Sequence, residues 1–180
     1  MKQSFQDYEI ILVDDGSTDS SPEICENLSI DYDNIRVFHT ENRGAAAARN
    51  YGVDVAEGSY IAFVDSDDTV DPDYLYILYN NLIDNDADIS VCGYEKISDG
   101  EKPSKDKALS KVKCMTGEKA MEKLLYQRDI MSVPWGFIAD RMLWEEVRFP
   151  EGRRVEDYAT IYKLFGLARR VAFSKDKLYR

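Results

Sequence analysis

Short apolar segments alternate with polar turns and amphipathic stretches along the whole chain. β-Branched and aromatic runs predict strands, and apolar residues at helical spacing predict helices. The pattern predicts strands over residues 8–13, 35–40, 60–64, 89–94 and 171–173. It predicts helices over residues 21–28, 45–56, 72–84, 116–127, 141–147 and 155–168. Because strand and helix alternate in the first half of the chain, the sequence predicts an α/β protein with a parallel sheet.

Two of the predicted strands run directly into acidic residues. One strand is followed by Asp14-Asp15, and another by Asp65-Ser66-Asp67-Asp68. In open α/β sheets the carboxyl ends of strands form ligand sites, and carboxylates so close together favour a cation among them. Carboxylate oxygens suit Mg²⁺ or Mn²⁺. The alternative for the second segment is an acidic turn that caps the next helix, since Asp71-Pro72 follows it.

Basic residues lie between and after these strand ends. Arg49 and Asn50 belong to an alanine-rich predicted helix, and Glu156-Asp157 follows a pair of arginines. Acids for a metal, an arginine for phosphate and a separate carboxylate for proton transfer indicate chemistry on a nucleoside diphosphate. Plainer alternatives are a solvated helix residue for Arg49 and a surface ion pair with the preceding arginines for Asp157.

Composition narrows the class of protein. The 180 residues predict one domain, and 34 acidic against 23 basic residues give a net charge of -11. This charge disfavours nucleic-acid partners, which need a cationic surface. Three widely spaced cysteines indicate a reduced, cytoplasmic protein. The single histidine, His39, has no neighbouring histidine or cysteine, so a structural role is favoured over zinc binding.

Several stretches, in this order and spacing, carry a family resemblance. They are YEIILVDDGSTD at 8–19, NRGAAAARNYG at 42–52, GSYIAFVDSDD at 58–68, VPW at 133–135, and RFPEG at 148–152 continuing to Glu156-Asp157. The chain resembles family 2 glycosyltransferases of the bacterial surface-polysaccharide type. The resemblance implies a GT-A fold, with a mostly parallel central sheet flanked by helices, as a single domain over residues 1–180. Residues 1–97 would form the nucleotide-sugar half, 98–113 a mobile loop, and 114–180 the acceptor and base half.

The same resemblance implies contacts with the nucleotide for four residues of the first half. Asp15, with Asp14 beside it, would contact the base, usually uridine; the alternative for Asp15 is a cap of the helix that follows. Arg49 and Asn50 would lie near the nucleotide. The donor would accordingly be a UDP-sugar.

The resemblance also implies a metal site, a general base and an acceptor contact. Asp65 and Asp67 would form the family's DxD motif, in which Asp65 lies near the ribose and Asp67 helps to ligate Mn²⁺ or Mg²⁺. Asp68, the next residue, is the alternative for either role. Asp157 would be the general base, with Glu156 supporting it. Trp135 would line the acceptor pocket, with a core tryptophan as the alternative.

A glycan or a lipid-linked molecule is the implied acceptor, reached by inverting transfer. The Gln-x-x-Arg-Trp motif of processive synthases is missing, which favours single addition. We expect a cytoplasmic location, with peripheral association at the inner face of the membrane for a lipid-linked acceptor.

The resemblance starts late, since family members open with a strand like Val-Ser-Val-Ile-Ile-Pro-Val-Tyr-Asn that lies in the middle of the sheet. They also continue beyond the stretch that corresponds to Leu178-Tyr179-Arg180. The sequence therefore predicts a GT-A fold truncated at its N-terminus. Either the neighbouring strands close up, or another chain covers the gap in an oligomer, or the chain is a fragment.

Two other functions fit part of the sequence. Residues 63–69 match the hydrophobic-Asp-x-Asp-x-Thr signature of haloacid-dehalogenase-type phosphatases, with Asp65 as the nucleophile. That reading leaves Asp14-Asp15 unexplained and needs a later acidic pair at a strand end, whereas Glu156-Asp157 lies in a helical pattern. The second alternative is an inactive nucleotide-binding fragment.

Overall fold

The computed structural model describes residues 2–97 and 109–180. Its strands are β1 (Ile10–Asp14), β2 (Ile35–His39), β3 (Tyr60–Ala62), β4 (Ile89–Tyr94), β5 (Lys113–Met115), β6 (Phe137–Asp140) and β7 (Val171–Tyr179). Its helices are α1 (Ser21–Asp31), α2 (Ala45–Val55), α3 (Tyr74–Asp84), α4 (Gly117–Leu125), α5 (Arg141–Glu146) and α6 (Glu156–Leu167). Each predicted helix is confirmed within a few residues, whereas β5 and β6 were not predicted.

The described strands form two separate sheets. β1 pairs with β2 in parallel, with Ile10 opposite Ile35. The other sheet has the order β3-β6-β4-β7-β5, in which only β4 and β7 run parallel. The α/β class is therefore confirmed, but the expected mostly parallel sheet is wrong, because β6 runs antiparallel between β3 and β4. Gly136, at φ 77°, turns the chain into this strand immediately after Trp135.

The strands on either side of the predicted gap do not close up. Among the described residues β1 and β3 share no ladder and belong to different sheets. The carboxylate of Glu9 accepts hydrogen bonds from the backbone N–H groups of Glu57 and Gly58, at 2.7 and 3.1 Å, and ties the starts of the two strands together. Closure of the neighbouring strands is thus wrong, and an oligomer that covers the gap stays a prediction.

The hydrophobic core lies on both faces of the five-stranded sheet. Alternate residues of β4 and β6 enter two clusters: Val91 and Phe137 belong to one, and Cys92 and Ile138 to the other. The first cluster is covered by α4, α5 and α6, and the second by α3. Trp144 of α5 is fully buried in the first cluster. This two-sided burial follows from the alternation of side chains along a strand.

The predicted loop over residues 98–113 falls mostly outside the described residues. Residues 109–112 have no regular structure, and Lys113 already begins β5. Within the described ranges no helix combines the length and the apolar character needed to cross a membrane.

Candidate active site

Arg49 brings three of the predicted acids together. Its Nη1 lies 2.8 Å from Oε1 of Glu156 and 3.3 Å from Oδ1 of Asp157, the first two residues of α6. Its Nη2 lies 3.5 Å from Oδ1 of Asp65, which follows β3. The predicted base and the predicted DxD motif, far apart in the sequence, therefore converge on one guanidinium.

Two residues hold Arg49 in position: Asn50, its neighbour in the chain, and Phe149 in the loop before α6. The guanidinium lies 5.5 Å from the centre of the Phe149 ring. The Asn50 amide donates to the backbone oxygen of Phe149 at 2.8 Å and accepts from its N–H at 2.9 Å. Asn50 thus joins α2 to the core through both ends of its side chain, and the nucleotide contact predicted for it stays a prediction.

Asp157 lies in a partly desolvated and strongly charged environment. Burial raises the pKa of its carboxyl group, the positive charge of Arg49 opposes that shift, and the negative charges of Glu156 and Asp65 add to it. A raised pKa makes a carboxylate a better proton acceptor, and the positive charge of the arginine favours its ionised form. This balance suits the general-base role that was predicted for Asp157.

The turn over residues 65–68 is anchored by a tyrosine from the end of β7. The backbone N–H of Asp65 donates to the hydroxyl of Tyr179 at 3.0 Å, and that hydroxyl donates to Oδ2 of Asp68 at 2.7 Å. Asp67 is exposed, and no described residue donates a hydrogen bond to its carboxylate. Its oxygens are therefore available to a ligand that approaches from solvent.

The carboxylates of the turn fit a divalent cation in chemistry but do not form a closed cage. No group of three or more His, Cys, Asp or Glu side chains among the described residues is arranged to hold a metal ion. Mg²⁺ commonly takes one or two protein carboxylates together with substrate phosphates and water. Asp67, with Asp65 near it, matches that open type of site.

Asp15 holds the loop that leads into α2. Its carboxylate accepts hydrogen bonds from the backbone N–H groups of Arg43 and Gly44, at 3.0 and 2.6 Å, and from the hydroxyl of Thr40 at 3.2 Å. Gly44 has φ 90°, a conformation that glycine adopts without steric cost. Asp15 therefore places the start of the helix that carries Arg49, and its predicted contact with the base stays a prediction.

Asp14, His39 and Glu26 form a hydrogen-bonded cluster, here called the clasp, that joins β1, β2 and α1. His39 lies with Nδ1 2.8 Å from Oδ2 of Asp14, at the end of β1, and with Nε2 2.8 Å from Oε1 of Glu26 in α1. Hydrogen bonds to Asp14 and then Glu26 raise the pKa of His39. Hydrogen bonds from Ser17 and His39 lower the pKa of Asp14. The nucleotide contact predicted for Asp14 stays a prediction.

Trp135 lies beside the acidic turn rather than deep in the core. Its ring stacks on that of Tyr179, with centroids 4.5 Å apart and planes inclined by 8°, and Tyr94 meets its edge at 5.4 Å. The indole is partly exposed. It also packs against the second core cluster, and the acceptor contact predicted for it stays a prediction.

The predicted site residues are not gathered in either of two surface pockets. Two surface pockets of the described residues lie elsewhere, one beside Cys114 and Arg170 and one between Tyr8 and Gly58, and no predicted site residue lines either. Arg49 therefore joins Asp65, Glu156 and Asp157, and Asp15 is tied to the same helix only through the loop before α2.

Sequence reasoning missed two residues that organise this site. Phe149 lies in the matched stretch 148–152, which was its only signal. Tyr179 was missed because the polar residues 174–177 led to a prediction that the last strand ends at residue 173. The Leu178-Tyr179 pair after this polar segment was the available sign that the strand continues.

Known proteins resemble the chain over nearly its whole length. Glycosyltransferase GlyG of Streptococcus pneumoniae is 35% identical, over 99% of this chain and 62% of that protein. Glycosyltransferase GlyA of the same organism is 33% identical, over 98% of this chain and 26% of that protein. The chain thus spans less than two thirds of the length of these relatives.

Solved structures show the same fold. The crystal structure of S. aureus TarS residues 1–349 matches with a TM-score of 0.77 and 26% identity, over 99% of this chain and 52% of that one. The same TarS segment in complex with UDP-GlcNAc matches with a TM-score of 0.76 and 25% identity, over 99% and 50%. These matches confirm the expected GT-A fold. The family model described as glycosyl transferase family 2 matches residues 1–148, and the chain belongs to that family.

Proposed function

We propose that the protein transfers a sugar from a UDP-sugar to a hydroxyl of a glycan or lipid-linked acceptor, with inversion at the anomeric carbon. The observation that carries the proposal is the contact of one guanidinium, that of Arg49, with both the DxD residue Asp65 and the pair Glu156-Asp157. This contact supports the proposal, because it would put the group that binds the diphosphate beside the group that accepts the proton. The bound UDP-GlcNAc of the related TarS structure supports a UDP-sugar as the donor.

The donor end of the site would be formed by the acidic turn and Arg49. Asp67 and Asp65 would hold Mn²⁺ or Mg²⁺, which when bound supplies positive charge to the diphosphate leaving group. Arg49 would add a second positive charge near the same oxygens. The guanidinium is well suited to phosphate because its donors lie in a planar fork. Asp15 would contact the base from the other end of the loop before α2.

The acceptor end would be served by Asp157. The acceptor oxygen attacks the anomeric carbon as the bond between that carbon and the phosphate oxygen breaks, and the hydroxyl proton passes to the Asp157 carboxylate. Glu156 would hold Arg49 in place through their 2.8 Å contact. Such proton transfer contributes about 10²–10⁴-fold to a rate. Trp135 would offer an aromatic face for the acceptor.

The phosphatase alternative is wrong, because the chain belongs to glycosyl transferase family 2 and Glu156-Asp157 starts a helix instead of ending a strand. The inactive-fragment alternative is an outcome of the test below. We further propose a cytoplasmic location at the inner membrane face, for which a lipid-linked acceptor is the reason.

The test is a donor screen by UDP release with the full-length protein. Asp67→Ala should abolish release, and Asp157→Asn should lower kcat by about 10²–10⁴-fold while donor affinity changes much less. Asp31→Asn, an exposed carboxylate of α1, is the matched control for loss of one charge. Release from no UDP-sugar, or full activity of the Asp157→Asn variant, would contradict the proposal.

A further inference from the structure

The hydroxyl of Tyr179 spans the acidic turn from its first residue to its last. It accepts a hydrogen bond from the N–H of Asp65 and donates one to the carboxylate of Asp68. The hydroxyl therefore uses both its acceptor and its donor capacity within a single turn.

The tyrosine is itself held by the sheet and not by the turn. Its side chain is 2% exposed and lies between the stacked ring of Trp135 and the ring of Tyr74, whose centroid is 6.3 Å away. The backbone beside it pairs with the segment after the turn, since Thr69 and Arg180 exchange N–H to oxygen hydrogen bonds of 2.7 and 2.8 Å. The end of β7 is thus held in place by these contacts, and it in turn holds the acidic turn.

We infer that Tyr179 is a positioning residue that sets the acidic turn for a divalent cation and the diphosphate of the donor. The inference rests on the proposed function and adds a residue to it. Without an anchor, the three carboxylates of the turn would repel one another and spread. The tyrosine engages Asp68 by a charge-assisted hydrogen bond, a strong type, and fixes the backbone at Asp65. Asp67 is left exposed, and it is therefore the carboxylate that meets the cation.

The inference also separates two neighbouring carboxylates by role. Asp68 uses one oxygen for Tyr179, whereas no described residue donates to Asp67. Asp68 consequently acts through the shape of the turn, and Asp67 acts on the ligand. Substitution of either should weaken cation binding, but only the effect of Asp68 should depend on the tyrosine.

The test is calorimetric titration of the full-length protein with UDP, with and without Mn²⁺, in the wild type and in Tyr179→Phe. The substitution keeps the stacked ring and removes only the hydroxyl. We expect the Kd for UDP in Mn²⁺ to rise about tenfold, which corresponds to about 1.4 kcal/mol, and the Kd without Mn²⁺ to stay unchanged. Tyr74→Phe is the matched control, because its hydroxyl makes no hydrogen bond to the turn among the described residues. It should bind as the wild type does.

A second variant keeps the test decisive if Tyr179→Phe folds poorly. Asp68→Asn should raise the same Kd, and the Tyr179→Phe/Asp68→Asn double variant should lose no more than the larger single loss, because the pair acts as a unit. The positioning role would be overturned if the losses of UDP affinity in the two single variants were additive. It would also be overturned if Tyr179→Phe bound UDP in Mn²⁺ as tightly as the wild type does. Neither result would overturn the proposed function. A wild type without metal-dependent UDP binding would overturn the proposed function, and the inference with it.

Discussion

The five-stranded sheet and the β1–β2 pair differ in how completely they are packed. In β4, residues 89–92 are buried, and helices cover both faces of the sheet. In β1, residues 10–13 are only partly buried, and α1 buries none of its residues. Ile24 and Ile30 on that helix are 55% and 78% exposed. One region is thus stabilised by a core, and the other mainly by local hydrogen bonds.

This difference matters because the candidate site draws on both regions. The acidic turn and Asp157 stand on the packed sheet and its helices, whereas Asp14 and Asp15 stand at the end of β1. Segments with little buried apolar surface open most easily. Arg49 and Asn50, on the helix between the regions, therefore control how well the two halves of the site stay aligned.

The largest expected effect contrasts a core residue with an exposed one. Trp144 is fully buried against the five-stranded sheet, and Trp144→Ala should lower the free energy of unfolding by about 3–5 kcal/mol. Ile24→Ala on α1 should change it by less than about 0.5 kcal/mol, as surface substitutions usually do. Denaturation in urea measures both values. A cost for Ile24→Ala that approached that of Trp144→Ala would show that α1 is packed in solution.

An intermediate effect is expected where the two regions are joined. Asn50→Ala removes both hydrogen bonds to the backbone of Phe149, which is 2% exposed. Unsatisfied buried polar groups cost about 1–3 kcal/mol, and urea denaturation should show a loss of that size. Asn50→Asp keeps an acceptor for the Phe149 N–H and should cost less. Equal stability of Asn50→Ala and wild type would mean that this link does not join the regions.

The smallest expected effect is a pH dependence of the β1–β2 region. Because the folded-state pKa of His39 is raised above 6.5, the clasp contributes its full stability below that pH and loses it as the pH rises through the folded-state value. The lowered pKa of Asp14 adds a contribution that is present above 3.8 and is lost as the pH falls below it. The Tm difference between wild type and His39→Gln should therefore be largest between these limits. A difference that grew above pH 7 would have the wrong sign.

The local parts of the fold could be predicted from the sequence, and the pairing of strands could not. Amphipathic spacing located α3 and α6 within a few residues, because a helix is defined by neighbours along the chain. The strands β5 and β6 are only 3 and 4 residues long. One follows a polar segment and the other a segment with proline and glycine, so the sequence pattern that would predict them is weak. Their antiparallel pairing depends on distant partners, which explains why a mostly parallel sheet was expected.

The site residues could be named from matched motifs, but their contacts could not. The sequence singled out Arg49 as a group near the nucleotide, and the structure shows it in contact with Asp65, Glu156 and Asp157. That meeting brings a side chain of α2 to the first residues of α6, and no local pattern in the sequence predicts it. The contacts of Tyr179 could not be predicted either, since its partners lie more than a hundred positions earlier in the chain.

The central claim is that acids from distant parts of the chain bind one donor together. Crystals of the full-length protein soaked with UDP and Mn²⁺ test it most directly, because anomalous scattering locates the metal. We predict that Mn²⁺ binds to Asp67 and to the diphosphate. The uracil should lie beside Asp15, and the carboxylate of Asp157 should face the terminal phosphate of UDP. A metal or nucleotide bound elsewhere, with Asp67 and Asp157 both remote from it, would contradict the account.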